Sequence, residues 1–140
     1  MSSNQRDRER RNERAKDLLV RLRERYPAVF QNPPLPLAID IAEQIAEAMD
    51  CRNRMVVATA LRIWDHSPQY RAAVSAGGPR YNLDGSPSGG VSRRARTHQE
   101  NRLHELEDRW QATGRAHLIP DAQHIAFLAR ERKRQRKAAG

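Results

Sequence analysis

The stretch RYNLDGSPSG, residues 80–89, decides the fold of this 140-residue chain. Two short runs flank its Asp84-Gly85 pair, and an Asp-Gly pair in that setting is typical of a β-hairpin. Pro87 and the Gly89-Gly90 pair keep the returning strand short, because proline donates no backbone hydrogen bond and glycine weakens a strand. The stretch therefore predicts a small hairpin over residues 80–91.

Helical periodicity surrounds this hairpin on both sides, so the sequence predicts a mainly α fold with one small β-hairpin. Ser and Asn mark several helix starts, since their side chains cap the first turn, and proline fits the first helical position. The predicted helices cover about 13–25, 38–49, 54–64 with Asn53 as cap, a short segment from Ser67-Pro68 to Gly77-Gly78, about 93–112 with Ser92 as cap, and a last helix from near Pro120-Asp121.

The layout of charge favours a polyanionic partner. The chain has 26 Lys+Arg against 17 Asp+Glu, which gives a net charge of +9 and a pI near 10.9. Residues 52–96 hold eight arginines against only Asp65 and Asp84, a net charge of +6 over that block. Nucleic acid is the commonest partner for such a field.

Several function classes find no support in the sequence. No apolar run is long enough to span a membrane, and the first residues contain no apolar region of a secretory signal, so we expect a cytoplasmic protein. The single Cys51 excludes an intramolecular disulfide. His98 and His104 lie six residues apart, whereas two ligands on one helix face need a spacing of about four. No P-loop, zinc-protease or nucleophile-elbow motif occurs. We therefore expect no enzyme activity, metal, cofactor or small-molecule substrate.

The segment that begins at Ser67-Pro68 leaves two interpretations open. A helix N-terminus presents unpaired N–H groups to an anion, and Tyr70 and Arg71 lie in its first turn. With Arg62 before it and Arg80 after it, this segment is suited to the phosphates and bases of a single-stranded nucleic acid. The alternative is that Ser67 is a simple cap and Tyr70 a residue at the edge of the core.

A helix-turn-helix over Ile39–Arg62 is a second candidate for nucleic-acid binding. In that motif the start of the second helix contacts base edges in DNA. Here the second helix would begin with RMVVA, residues 54–58, which offers one basic residue and then apolar side chains. These apolar side chains favour a core position, so the match to the motif is weak.

Several segments in order resemble the ProQ/FinO domain of bacterial RNA chaperones, from about Leu18 to Leu106. The resembling segments are YPAVF (26–30), PLAIDI (36–41), ALRIW (60–64), Ser67 with Tyr70, and RYNLDGSPSG (80–89). The resemblance implies a mainly helical domain that binds structured RNA hairpins with a single-stranded 3′ tail, of the intrinsic-terminator type. Such proteins act as RNA chaperones in post-transcriptional regulation by small or antisense RNA.

The resemblance also implies which residues contact RNA. Tyr70 and Arg80 match RNA-contacting residues of the family, and Ser67 matches the N-terminus of the helix that receives the 3′-terminal nucleotide. Members often have a further basic residue where Ala58 stands, and its loss weakens the RNA-binding face unless Arg71, Arg93, Arg94 or Arg96 compensates. The expected RNA-binding residues are Arg54, Arg62, Ser67, Tyr70, Arg71, Arg80, Arg93 and Arg94.

We therefore expect three parts in a monomeric protein whose partner is RNA. These are a disordered basic arm at 1–12, a ProQ/FinO-like domain at 13–113, and a helix with a basic tail at 114–140. The arm and the tail either assist the annealing of RNA strands or merely aid solubility. A DNA-binding regulator and a protein-interaction module are the alternatives to an RNA-binding protein.

Overall fold

Five helices and one two-stranded sheet make up the computed structural model, which describes residues 2–31 and 33–115. The elements are α1 (Ser3–Arg25), α2 (Ile41–Ala48), α3 (Arg54–Asp65), α4 (Pro68–Ser75), β1 (Pro79–Tyr81), β2 (Pro87–Gly90) and α5 (Arg93–Ala112). This confirms the mainly α fold with a small hairpin. The helix predicted near Pro120-Asp121 and the basic tail lie outside the described residues. None of the described helices is both long enough and apolar enough to cross a membrane.

Side-chain caps start three of the helices where the sequence predicts them. The side chains of Asn53, Ser67 and Ser92 each accept a hydrogen bond from a backbone N–H two or three residues along the chain, at 3.1–3.3 Å. Each cap satisfies a donor that the first turn leaves unpaired, which stabilises a helix by about 1 kcal/mol. The caps fix where α3, α4 and α5 begin.

Helix α1 begins ten residues earlier than the sequence predicts. The prediction placed its start near Glu13 and a disordered arm before it, but residues 3–12 are helical and Ser2 caps them. These residues are mostly Arg, Glu, Gln and Asn, and the straight-chain types among them favour a helix. Their side chains contribute nothing to the core, since Ala15 is the first buried residue of α1. Hydrophobic periodicity therefore gave no signal for these turns.

Helix α2 is shorter than predicted, because the residues before it pair with the hairpin. The Ala38 N–H donates to the carbonyl of Tyr81 at 2.8 Å, and the Tyr81 N–H donates to the carbonyl of Pro36 at 2.9 Å. This bridge holds residues 36–38 extended, so α2 starts at Ile41 rather than at Ala38. The hairpin is thereby attached to the helical part of the domain.

The core lies between α1, α2 and α4, with α3 at its centre. Its largest fully buried side chains are Phe30, Leu18, Leu22, Ile45 and Val29. The ring of Trp64, at the end of α3, packs at a tilt on Phe30 with 5.3 Å between the centroids. Two apolar α3 residues, Met55 and Ile63, lie outside this core and are 55% and 41% exposed.

The hairpin turn has three residues rather than the Asp-Gly pair alone. The Asn82 N–H donates to the carbonyl of Ser86 at 2.8 Å, and the Gly85 N–H donates back to the carbonyl of Asn82 at 2.9 Å. Gly85 has a φ of +88°, which glycine adopts without strain. This is a type I turn followed by a left-handed glycine. Gln44 of α2 holds the turn in place. Its Nε2 donates to Oδ1 of Asn82 at 2.8 Å, and its Oε1 accepts from the N–H of Leu83 at 2.9 Å.

Helix α5 packs on α4 and contributes little to the core. Leu103 is buried against Ala72 and Ala73 of α4. Leu106 and Trp110, the apolar residues further along α5, are only half-buried. The C-terminal half of α5 therefore extends beyond the short α4 with a largely exposed surface.

Candidate nucleic-acid interface

The hairpin, α4 and the extended segment before α2 meet at Leu37. The Leu37 N–H donates to the hydroxyl of Tyr70 at 3.1 Å, and the Leu37 carbonyl accepts from Arg80 Nη1 at 3.0 Å. Tyr70 is only 5% exposed, so its ring packs in the core. In this arrangement the ring is not accessible to a base or a sugar, which is the contact that one interpretation of the sequence expected. The hydroxyl instead helps to position Arg80.

The carboxyl group of Asp65 lies close to Tyr70, Arg71 and Arg80. Oδ1 of Asp65 and Nε of Arg80 are buried and have no hydrogen-bond partner among the described residues. Burial raises the pKa of Asp65 to about 6, although the positive charges of Arg80 and Arg71 oppose this shift. Burial, and then the charge of Asp65, raise the pKa of Tyr70 to about 12. The tyrosine is therefore a neutral hydrogen-bonding group at physiological pH.

Three arginines from three helices converge on His66, the residue that follows Asp65 at the end of α3. Arg71 of α4 donates to Gln99 Oε1 of α5 at 3.1 Å, which brings the two helices together. Burial lowers the pKa of His66, and the charges of Arg71, Arg62 and Arg102 lower it further. We call Arg62, His66, Arg71 and Arg102 the junction cluster. The charges of its three arginines are suited to binding phosphate.

Two members of the junction cluster, His66 and Arg102, were not predicted from the sequence. His66 directly precedes the capping Ser67, and this position in the sequence was the one available signal for it. Arg102 had no such signal, because its place depends on the packing of α5 against α4. It is three residues beyond Gln99, on the same helix face as the residue that Arg71 contacts.

Arg54 and Arg62 lie on one exposed face of α3. They are eight residues apart, which corresponds to about 12 Å along a helix, and both side chains are exposed. Ala58 lies between them and is also exposed. We call this face the α3 stripe. At its start Arg54 lines a groove of about 650 Å³ between α2 and α3.

The hydroxyl of Ser67 acts on its own chain. It accepts from the Tyr70 N–H at 3.2 Å and donates to the carbonyl of Trp64 at 2.8 Å. Both functions of the hydroxyl are used, so Ser67 caps α4 as the simpler interpretation of the sequence stated. What remains for an anion is the positive end of the α4 dipole.

Arg93 and Arg94 stand apart from the other predicted residues. Both are exposed in the first turn of α5, roughly 12 Å along the helix from Arg102. In the part of the chain that the structure describes, no contact joins them to the junction cluster. The predicted set thus divides into the α3 stripe, the junction around Arg71 and Arg80, and this separate pair.

The start of α3 does not present residues as a helix-turn-helix requires. Val56 and Val57, the third and fourth residues of α3, are 5% and 2% exposed, so this part of the would-be recognition surface belongs to the core. In a helix-turn-helix the corresponding residues enter the major groove of DNA. This arrangement does not favour the DNA-binding alternative.

A mainly helical domain, with a hairpin bridged to its core and a basic junction beside α4, defines the class of protein to which this chain belongs. Residues 12–116 match the model of the ProQ/FINO family, and the chain belongs to that family. The resemblance inferred from the sequence is thus confirmed. The fold is similar to the crystal structure of a FinO-like RNA chaperone from Neisseria meningitidis, with a TM-score of 0.61 and 20% sequence identity. That similarity covers 74% of this chain and 85% of the other.

Proposed function

We propose that this protein is an RNA chaperone that binds RNA hairpins ending in a single-stranded 3′ tail. It acts in the cytoplasm as a monomer without catalysing a reaction, in post-transcriptional regulation by small or antisense RNA. The observation that carries the proposal is the convergence of Arg62, Arg71 and Arg80 beside the start of α4, in a chain of the ProQ/FINO family.

The α3 stripe is suited to the stem of the hairpin. The major groove of A-form RNA is too deep and narrow for side chains to read, so a protein recognises such a stem by its shape and its phosphates. Arg54 and Arg62, spaced along an exposed helix face, bind phosphates without reading sequence. The stripe runs from the α2–α3 groove to the junction cluster. The single-stranded RNA tail continues from the stem toward that cluster.

The residues beside the start of α4 select RNA with a free 3′ end. Arg71, Arg80 and the α4 dipole attract the phosphates of the tail, while Tyr70 and Leu37 hold Arg80 in position. Asp65 adds a negative charge at the same place. A 3′-phosphate would bring further negative charge near this carboxylate, which is why we expect a free hydroxyl end to bind better.

A gel-shift titration with four nucleic acids tests this function. These are a terminator-type hairpin with a U-tail, the same hairpin without the tail, the tailed hairpin with a 3′-phosphate, and a DNA duplex of equal length. We expect at least tenfold tighter binding to the free-tailed RNA than to the other three. Equal binding to all four would mean a general basic surface and would contradict the proposal.

Two matched variants, Arg80→Gln and Arg109→Gln, distinguish a specific effect of Arg80 from the effect of losing one positive charge. Arg109 lies in the last turn of α5, is exposed, and carries the same charge as Arg80. We expect Arg80→Gln to remove most of the preference for the tailed hairpin and Arg109→Gln to leave it unchanged. An equal loss in both variants would show that total charge, and not the junction, determines binding.

A further inference from the structure

A cavity of about 330 Å³ opens between α1, the segment around residues 31–34, and the junction of α3 with α4. This volume lies at the small end of the range for ligand pockets, about 300–1,000 Å³. Leu19, Pro34, Ile63 and Trp64 form its apolar wall. Of the predicted RNA-binding residues, only Ser67 lines it.

The apolar wall includes a side chain that the core does not bury. Ile63 is 41% exposed, whereas Val56 and Val57 on the same helix are almost fully buried. The guanidinium of Arg23 lies 5.4 Å from the ring centroid of Trp64, in a cation–π contact. Nε1 of Trp64 is buried and has no acceptor among the described residues. An apolar surface therefore adjoins a positive charge and an indole N–H without an acceptor.

Two amide side chains complete the lining of the cavity. Gln31 donates from Nε2 to the carbonyl of Ala28 at 2.7 Å, and this bond holds its amide in place. Gln69 lies in the first turn of α4. An amide group both donates and accepts hydrogen bonds, as the edge of a nucleobase does. A flat molecule with apolar faces and a polar edge matches these walls.

We propose that this cavity binds one unstacked nucleobase of single-stranded RNA, with Ile63 against its face, Trp64 in the adjoining wall, and Gln31 and Gln69 at its edge. The inference rests on the proposed function and adds a base-contacting subsite to an interface otherwise made of charges. Continuity supports this occupant, because Ser67 both lines the cavity and caps α4, where the proposed function places the tail phosphates. Arg23 supplies the positive charge for the phosphate of the bound nucleotide.

Tryptophan fluorescence gives a direct readout of this subsite. The chain has two tryptophans, so the full-length Trp110→Phe variant leaves Trp64 as the only one. It is titrated with the U-tailed hairpin and with the same hairpin carrying abasic nucleotides in the tail. We expect the base-bearing tail to change the Trp64 emission, because Trp64 lines the cavity. It should also bind about tenfold more tightly than the abasic tail, a difference of about 1.4 kcal/mol. The abasic tail should leave the emission unchanged.

Ile63→Glu and Ile39→Glu form a matched pair for the second test. Both remove an isoleucine and add the same charge, and Ile39 is 88% exposed and does not line this cavity. We expect Ile63→Glu to abolish the preference for bases over abasic sites and Ile39→Glu to retain it. Ile63→Gln, checked by circular dichroism, serves if the glutamate variant does not fold.

Two results would overturn the inference, and they differ in what they mean for the function. If normal and abasic tails bind equally while tailed RNA is still preferred over the tailless hairpin, the cavity binds no base and the proposed function stands. If tailed and tailless hairpins bind equally, the proposed function fails and the inference fails with it.

Discussion

At the scale of single residues, Tyr70 shows how a buried side chain positions a charged group of the proposed binding site. Its hydroxyl accepts a hydrogen bond from the Leu37 N–H, and the Leu37 carbonyl accepts one from the Arg80 guanidinium. The ring is buried, so an exposed aromatic platform is not what this tyrosine provides. Its contribution is the position of the Arg80 guanidinium.

We predict that Tyr70→Phe weakens both the fold and RNA binding. Losing the hydroxyl leaves the buried Leu37 N–H without its acceptor, which costs about 1–3 kcal/mol. Urea unfolding should show this loss, and the affinity for tailed RNA should fall severalfold as Arg80 loses its fixed position. Tyr26→Phe is the control, since Tyr26 is half-buried and distant in sequence from this contact. Unchanged stability in Tyr70→Phe would refute the positioning role.

Asp65 is a residue whose charge opposes folding. Its folded-state pKa of about 6 lies above the ordinary value of 3.8, with burial as the main cause. Between these values the folded state binds more protons than the unfolded state, so stability falls as pH rises from about 4 to 6. A shift of this size corresponds to at most about 3 kcal/mol.

We therefore predict that Asp65→Asn is more stable than the wild type at pH 7.5 and that the difference disappears near pH 4. Urea unfolding at both pH values measures it. The variant should also bind 3′-phosphorylated tails nearly as well as free ones, because the repelling carboxylate is gone. A variant that is less stable at pH 7.5 would mean that the attraction of Arg80 and Arg71 outweighs the cost of burial.

At the scale of elements, helix α3 provides a basic stripe with a gap in it. Ala58 is exposed between Arg54 and Arg62. We predict that Ala58→Arg raises the affinity for hairpin RNA about three- to tenfold at low salt. It should also steepen the plot of log affinity against log salt by about one unit, as expected for one additional phosphate contact.

Two further variants test whether side-chain length, or positive charge at any position, has the same effect as Ala58→Arg. Ala58→Gln tests the longer side chain without its charge, and Ala48→Arg places the same charge at the exposed end of α2. Neither is expected to change the affinity by more than about twofold. If Ala48→Arg strengthened binding as much as Ala58→Arg, the stripe would have no special part in binding the stem.

The elements also show what the sequence can and cannot predict. Caps such as Asn53 and Ser92 are local signals, so α3 and α5 begin where predicted. The start of α2 depends on a bridge between residues 36–38 and Tyr81, a contact across more than forty residues that no local pattern records. The same holds for the site. Arg62 and Arg80 were found from sequence motifs, whereas Arg102 joins them only through the packing of α5.

At the scale of the whole molecule, the described residues 2–31 and 33–115 carry positive charge both at the proposed interface and on α1. The first turns of α1 carry several exposed arginines that bury nothing. The junction cluster, by contrast, is held by Arg71 and Gln99 between α4 and α5. A fixed cluster selects a shape, while charge on an exposed helix end attracts any RNA.

This division predicts that selectivity and annealing are separable. Replacing Arg6, Arg8 and Arg10 by Gln keeps residues that favour a helix and removes three positive charges. We expect the preference for tailed over tailless hairpins to remain within twofold. The rate at which the protein anneals two complementary RNAs should fall severalfold, because less charge screens the repulsion between strands. Both are measured at about 50 and 200 mM salt, where wild-type affinity should drop by about two orders of magnitude if four phosphates are contacted. An unchanged annealing rate in the triple variant would show that these three arginines of α1 do not help to bring the strands together.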